Sequence, residues 1–331
     1  MTVTQDQLIR RTYRGNCHCG NFVYEVDLPE LRSVVECDCS FCSRTGNLYV
    51  LTDEESNFRV VKGTEEKLKS YTFGAGNKIH KFCPECATSL LSRMPNGPPR
   101  LKLLLNVSYG KYLIHIILLL TRTDRHEPCR MSTWIRWNEE SKLCRQGQLG
   151  EEQKVTINSI FNSKIGAEYL PPEHKGDIPP NVEGGQLYTG SCHCGAVTVA
   201  LSCKPLDEFN EGVVVVCNCS ICSRNGYIWL FPRPENVVLS GSEDAIGRYT
   251  FADGLTSKTF CRTCGINMTN LRNQLSLDEV RALSRHSRQV YERNKESHPV
   301  NVRILHGVDV GKLNKVTFTG ATVMPSTYIN P

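Results

Sequence analysis

The sequence predicts a mainly β protein built as two tandem small antiparallel β-sheet domains, each pinned by clustered cysteines, with a short surface helix in the second. Three observations predict it. The 331 residues carry one seven-cysteine pattern twice. Short alternating or β-branched segments follow each cysteine cluster. Prolines and paired glycines interrupt the chain midway, between the two copies.

The first copy reads Cys17-His18-Cys19-Gly20, Cys37-Asp38-Cys39-Ser40-Phe41-Cys42 and Cys83-Pro84-Glu85-Cys86. The second reads Cys192-His193-Cys194-Gly195, Cys217-Asn218-Cys219-Ser220-Ile221-Cys222 and Cys261-Arg262-Thr263-Cys264. Corresponding clusters lie 175, 180 and 178 residues apart, a spacing too regular for chance. The copies define a domain over 11–165, a linker over 166–186 and a second domain over 187–325. Within the linker, Pro171-Pro172, Pro179-Pro180 and Gly184-Gly185 suit an exposed connection, because proline lacks a backbone donor and glycine adds flexibility.

Residues 21–26 and 196–201 read as strands leaving the first cysteine turn of each copy. Residues 46–51 and 226–231 follow the middle clusters and read alike. Residues 70–73 and 248–251 lead into hairpins whose turns are supplied by Gly74, Gly76 and Gly254. In the second copy, Ser276 followed three residues later by Glu279 is a capping box, and it opens a predicted surface helix over 276–295. Residues 301–309 read as a closing strand and turn. Residues 95–160 do not align with the second copy and read as an insertion, a diverged segment or translated intron.

No signal peptide, prenylation motif or membrane-spanning run is visible, so the expectation is a cytoplasmic protein with no membrane partner. Thiols in that compartment stay reduced, which favours metal binding over disulfides. The formal charge of +5 argues little for nucleic acid, since fourteen thiolates and four Zn2+ ions bring it to −1. An arginine-rich face on the 276–295 helix offers a weak anionic contact, against the plainer reading of a solvated face.

Zinc suits such clusters because it is borderline-soft and accepts tetrahedral sulfur. Two cysteine pairs from distant turns close a four-cysteine site, whereas Cys-x-Cys-x-x-Cys supplies three ligands locally. Three ligands and one open position is the arrangement of a catalytic zinc. A second structural zinc with a fourth protein ligand, or a vestigial site, is the alternative for each triplet.

The motifs resemble those of the glutathione-dependent formaldehyde-activating enzymes and the related centromere protein V group. They are carried by Gly15-Asn16-Cys17-His18-Cys19-Gly20, the Cys37 and Cys217 triplets, Phe82-Cys83-Pro84-Glu85-Cys86, Gly190-Ser191-Cys192-His193-Cys194-Gly195 and Phe260-Cys261-Arg262-Thr263-Cys264-Gly265. The resemblance implies a β-tent fold. It implies that Cys17, Cys19, Cys83 and Cys86 share one structural zinc, and Cys192, Cys194, Cys261 and Cys264 another. It further implies that Cys37, Cys39 and Cys42, and Cys217, Cys219 and Cys222, hold open zinc sites, giving up to two ions per domain and four per chain. The implied chemistry is carbon–sulfur bond making or breaking on a small-molecule thiol such as glutathione, with S-hydroxymethylglutathione formation as the example.

Other residues are weighed beside these. His18 and His193 sit between two ligands of one tight turn, so a structural role outweighs ligation. Arg44 and Arg224 follow the triplets and fit either a substrate carboxylate or a surface position. Cys129, Cys144 and Cys203 read as ordinary thiols. Ala87 stands where the second copy has Gly265, a strained choice if that position needs positive φ. The catalytic expectation therefore falls on the second copy: Cys217, Cys219 and Cys222, with Arg224 as a substrate contact. The second reading is a non-catalytic zinc scaffold that binds protein or nucleic acid.

Overall fold

The computed structural model describes residues 10–52, 55–94, 100–103, 121–122, 156–160, 168–210, 212–323 and 328–331. The first repeat runs β1 (Arg10–Asn16), β2 (Val23–Pro29), β3 (Ser33–Cys37), α1 (Ser40–Thr45), β4 (Leu48–Leu51), β5 (Phe58–Lys62), β6 (Lys69–Tyr71), β7 (Ile79–Phe82), β8 (Ser89–Arg93), β9 (Arg100–Leu103), β10 (Thr121–Arg122) and β11 (Thr156–Ile160). The second runs β12 (Gln186–Ser191), β13 (Thr198–Cys203), β14 (Val214–Cys217), α2 (Ser220–Asn225), β15 (Trp229–Leu230), β16 (Val237–Ser240), β17 (Ile246–Thr250), β18 (Thr256–Cys261), β19 (Asn267–Arg272), α3 (Leu277–Ala282), α4 (Arg285–Arg293), β20 (Val300–Asn301), β21 (Lys315–Phe318) and α5 (Gly320–Val323).

The architecture is mainly β, in two tandem units of the same topology. The larger sheet of the first is ordered β11-β3-β4-β9-β8-β7-β6, and that of the second β21-β14-β15-β20-β19-β18-β17. The smaller sheets, β10-β1-β2-β5 and β12-β13-β16, correspond strand for strand apart from β10. Alternation drives these strands: in β2 the burial runs buried-buried-partial-buried-partial-buried-partial, so one face meets the core and the other meets water.

The topology places the ends of one stretch that the sequence left open and divides one predicted helix. Within the stretch 95–160, residues 100–103 and 156–160 belong to the shared fold, since β9 takes the place of β20 and β11 that of β21. The sequence comparison misses this because α3 and α4 lengthen the β19–β20 connection of the second repeat, whereas in the first β8 closes at Arg93 and β9 already opens at Arg100. Second, the surface helix is two helices. Ser276 caps α3 with the expected capping box, but Leu283 turns to extended backbone and Ser284 starts α4 by accepting from the Ser287 amide.

The halves share a core. Phe41, Cys42 and Tyr49 of the first repeat lie in one apolar cluster with Val197, Val199, Ile228 and Ile304 of the second. At the contact, α1 and α2 end on Gly46 and Gly226, both left-handed (φ 61° and 59°). A Cβ on Gly226 would lie 2.8 Å from the Thr45 carbonyl, so only glycine lets the two helix ends approach.

That crossing is testable. Gly307 is also left-handed (φ 72°), but a Cβ added there would have nothing within 4 Å. Gly307→Ala should cost the strain alone, about 1–2 kcal/mol. Gly226→Ala adds a backbone clash and should cost roughly 2–4 kcal/mol, read from urea unfolding midpoints.

Candidate metal centres

Each repeat gathers its cysteines from separate elements into two groups. Cys17 and Cys19 flank the β1–β2 turn, and Cys83 and Cys86 the β7–β8 turn. The Sγ atoms of Cys17, Cys19, Cys83 and Cys86 lie within 4.8 Å of one another, as do those of Cys192, Cys194, Cys261 and Cys264. Cys19 is 3.5 Å from both Cys17 and Cys83, and Cys194 is 3.6 Å from Cys192 and 3.5 Å from Cys261. A tetrahedron with zinc–sulfur bonds of ~2.3 Å has edges of about 3.8 Å, so the thiols fit a closed zinc site.

The turns that hold these thiols are specific. Gly20 and Gly195 return their amides to the carbonyls of Cys17 and Cys192, and the amides of Phe22 and Val197 donate to the same cysteines' sulfurs at 3.3 Å. After the second pair, Gly265 has φ 73°, and Ala87 is forced to φ 54° in the first repeat. The strain that the Ala87 substitution implied is thus present, at about 1–2 kcal/mol, without scattering the four thiols.

The triplets form at a strand–helix junction. Cys37 ends β3, Cys39 is the N-cap of α1, and Cys42 lies in the helix; Cys217, Cys219 and Cys222 repeat this at β14 and α2. Each set of three thiols converges within 4.8 Å. Among the described residues, no fourth histidine, cysteine or carboxylate joins either set. Hydrogen bonds from Cys217 and Cys222 hold Cys219 well below the ordinary thiol range, and the positive charge of Lys258 acts in the same direction. Cys222 is pushed well above it by hydrogen bonds with Cys217 and Cys219 and by burial. The third cysteine meets a different ring in each half. Trp229 Nε1 donates to Cys222 Sγ at 3.3 Å, whereas the Tyr49 hydroxyl lies 3.0 Å from Cys42 Sγ.

The two kinds of site are linked across the halves. His18, between Cys17 and Cys19, places Nδ1 2.8 Å from the Tyr249 hydroxyl and Nε2 2.9 Å from Ser220 Oγ. His193 does the same with Tyr71 (2.7 Å) and Ser40 (2.9 Å). Each histidine of a four-cysteine site therefore touches the serine inside the other repeat's triplet. Burial first, and then the nearby Arg224 or Arg44, lower both imidazoles to about 4, so they are neutral at neutral pH. Tyr328 stacks on His18 with ring centroids 4.5 Å apart and donates to the His18 carbonyl, and Tyr169 treats His193 identically.

Arg224, expected as a possible substrate contact, lies between the repeats. It is fully buried, and its guanidinium donates to the Ser220 carbonyl (2.8 Å), Asn330 Oδ1 (2.5 Å) and the Asn16 carbonyl (3.4 Å) while lying over Tyr328. Arg44 matches it, donating to the Ser40 carbonyl (2.6 Å) and the Ser191 carbonyl (3.4 Å) beneath Tyr169. The donors that a carboxylate would need are spent on joining the repeats. Cys203 is a half-buried thiol raised to about 12 by burial, and Cys129 and Cys144 lie outside the described residues. None of the described cysteines is in a disulfide.

The sequence reading did not find Tyr71, Tyr249, Tyr169, Tyr328 or Lys258. A signal existed for the tyrosine tails, because Tyr169-Leu170-Pro171-Pro172 and Tyr328-Ile329-Asn330-Pro331 are alike and Pro172 and Pro331 cover Gly195 and Gly20 in turn.

The family model of the glutathione-dependent formaldehyde-activating enzymes matches residues 12–110 and 187–287, more than half of the sequence. The chain belongs to this family. A solved structure of a Rhodobacter sphaeroides protein is 30% identical, covers 40% of this chain and 99% of its own, and superposes with a TM-score of 0.30. The doubled family match follows the two topological units, one pair of cysteine groups in each.

Two outcomes follow. Elemental mass spectrometry should find four zinc ions per chain, falling to three in Cys264→Ala and three in Cys222→Ala, with the larger loss of thermal stability in Cys264→Ala because a closed four-cysteine site carries folding energy. Arg224→Met strands the Asn330 and Ser220 acceptors and should destabilise the protein by about 2–4 kcal/mol in urea unfolding.

Proposed function

We propose that the protein is a carbon–sulfur lyase-type enzyme that joins glutathione and formaldehyde, or the reverse, at the triplet of the second repeat. The observation that carries this is the set of three converging thiols, Cys217, Cys219 and Cys222, with no fourth protein donor among the described residues. Membership of the glutathione-dependent formaldehyde-activating family supports the thiol and the aldehyde.

Zinc held by this triplet would supply an open coordination position that favours the thiolate form of an arriving thiol, whose free pKa is about 8.5. The chain's own residues hold the geometry. Cys219 caps α2, Trp229 fixes Cys222 through its indole N–H, and Tyr227, Trp229, Tyr249 and Phe251 wall the site with rings that exclude water. In the reaction, the substrate sulfur attacks the carbonyl carbon. A C–S bond forms, the C=O π pair moves to oxygen, and the proton that left the thiol ends on that oxygen. The product is S-hydroxymethylglutathione, with all atoms retained.

The scaffold reading draws on the arginines of α3 and α4, and the structure spends two of them internally. Arg281 pairs with Asp278 at 3.2 Å, and Arg288 donates to the carbonyls of Val280 (3.2 Å) and Arg281 (2.8 Å), closing α3. No helix among the described residues is long and apolar enough to cross a membrane.

The enzyme reading is checked by cobalt-substituted protein titrated with glutathione, followed by NMR detection of the adduct on adding 13C-formaldehyde. A thiolate–cobalt absorption change and adduct formation faster than in buffer are expected. Cys219→Ala should abolish the second-site share of both. Adduct formation at the uncatalysed rate in the four-metal protein would overturn the reading.

A further inference from the structure

The two triplets sit in the same fold, but the space beside them is filled differently. On β18, Lys258 pairs across the sheet with Tyr249, and residues so paired share a face. Tyr249 reaches His18 on that face, so Lys258 rises toward the same side of the sheet as the triplet. Its ammonium lies 4.7 Å from the Trp229 ring centroid and 5.8 Å from that of Tyr227. Trp229 is the ring whose N–H touches Cys222. The one indole thus meets the cation with its face and the third thiol with its N–H edge. A register shift between Lys258 and Phe260 lies immediately beyond it, a distortion that re-aims side chains next to sites.

Lys258 is 8% exposed, and among the described residues no carboxylate pairs with its ammonium. Two ring faces and the nearby Cys219 sulfur hold this cation, with no carboxylate to neutralise it directly, so an arriving anion would complete its environment. In the first repeat, the position paired with Tyr71 is His80. Its ring is packed against Phe41 at 4.2 Å and Phe73 at 5.6 Å, an aromatic stack in the place where the second repeat has Ile221 and the lysine.

We propose that Lys258 is a specificity-determining residue that makes the second triplet select thiols bearing a carboxylate, while the first triplet lacks this selectivity. The inference rests on the thiol-binding reading of the triplets and adds the substrate's second recognition point. The ammonium pairs with a carboxylate of the thiol substrate, and Trp229 sets the distance between that carboxylate and the sulfur. Arg44 and Arg224, the other buried cations near the cysteines, are consumed by the contact between repeats and leave this role to the lysine.

The test uses the full-length zinc-loaded chain with Cys39→Ala, so that only the second triplet takes a thiol. Glutathione, which carries two carboxylates, and 2-mercaptoethanol, which carries none, are titrated by calorimetry. Lys258→Met should weaken glutathione about tenfold, as expected for a charge-assisted contact, and leave 2-mercaptoethanol within about twofold. Lys258→Arg should keep the preference, and salt should erode it in the two cationic forms alone. Zinc content and melting midpoint report folding, and Lys258→Gln replaces the methionine variant should that one unfold. Equal weakening of both thiols, or glutathione binding unchanged in a folded neutral variant, overturns the inference while leaving the thiol site standing. Failure of the lysine form to bind either thiol removes the thiol reading, and the inference with it.

Discussion

Each half of the molecule is completed by an arginine and a histidine exchanged with the other. Arg44 and Arg224 leave the ends of the triplet helices and bury their guanidiniums against the opposite four-cysteine site, where the sulfurs of Cys192 and Cys264, or of Cys17 and Cys86, are close enough to favour the charge. Removing a guanidinium from water costs several kcal/mol unless its donors are met. Here carbonyls at Ser40 and Ser191, or Ser220 and Asn16, meet them, and a tyrosine ring lies over each plane. Four thiolates around a divalent ion carry a net charge of about −2, so the arginine is also the counter-charge that a buried thiolate cluster requires.

The contact is reciprocal, as in a two-fold dimer, but made within one chain. A lone repeat would leave its arginine unpaired and uncover the ring of the histidine between the first two cysteines, and the first would also lose the cover of His193 over Phe41. Tethering two copies makes their docking intramolecular, so the pairing does not depend on protein concentration. The tails reinforce this. Tyr169 stacks on His193 just before the second repeat begins, and Tyr328 returns from the end of the second to His18 of the first.

What the sequence made legible is what local chemistry determines. The order of cysteines marked the clusters and the family resemblance implied how they group, glycine at positive φ marked the turns, and the strain at Ala87 followed from one missing glycine. Cross-repeat contacts were not legible, because His18 and Ser220 are 202 residues apart and no periodicity connects them. The helices α1 and α2 are six residues each, shorter than two turns, so they leave no 3.6-residue apolar pattern to detect. Arg224 followed a triplet in sequence and therefore suggested the triplet's ligand, whereas the helix carries it to the far side, toward the neighbouring repeat.

The scaffold and the chemistry are thereby separated. The residues that join the halves are the same in both: histidine to tyrosine and serine, arginine to carbonyls, proline over glycine. Those that meet the third cysteine differ, with Tyr49 on Cys42 and Trp229 on Cys222, and so do their neighbours, Phe41 with His80 and Ile221 with Lys258. A duplicated fold whose stability is fixed by reciprocal contacts can change the lining of one site without loosening the other. The identical backbone placement of the two triplets thus says little about whether they accept the same molecule. The side chains that differ would decide that, and Lys258 beside Trp229 stands out among them.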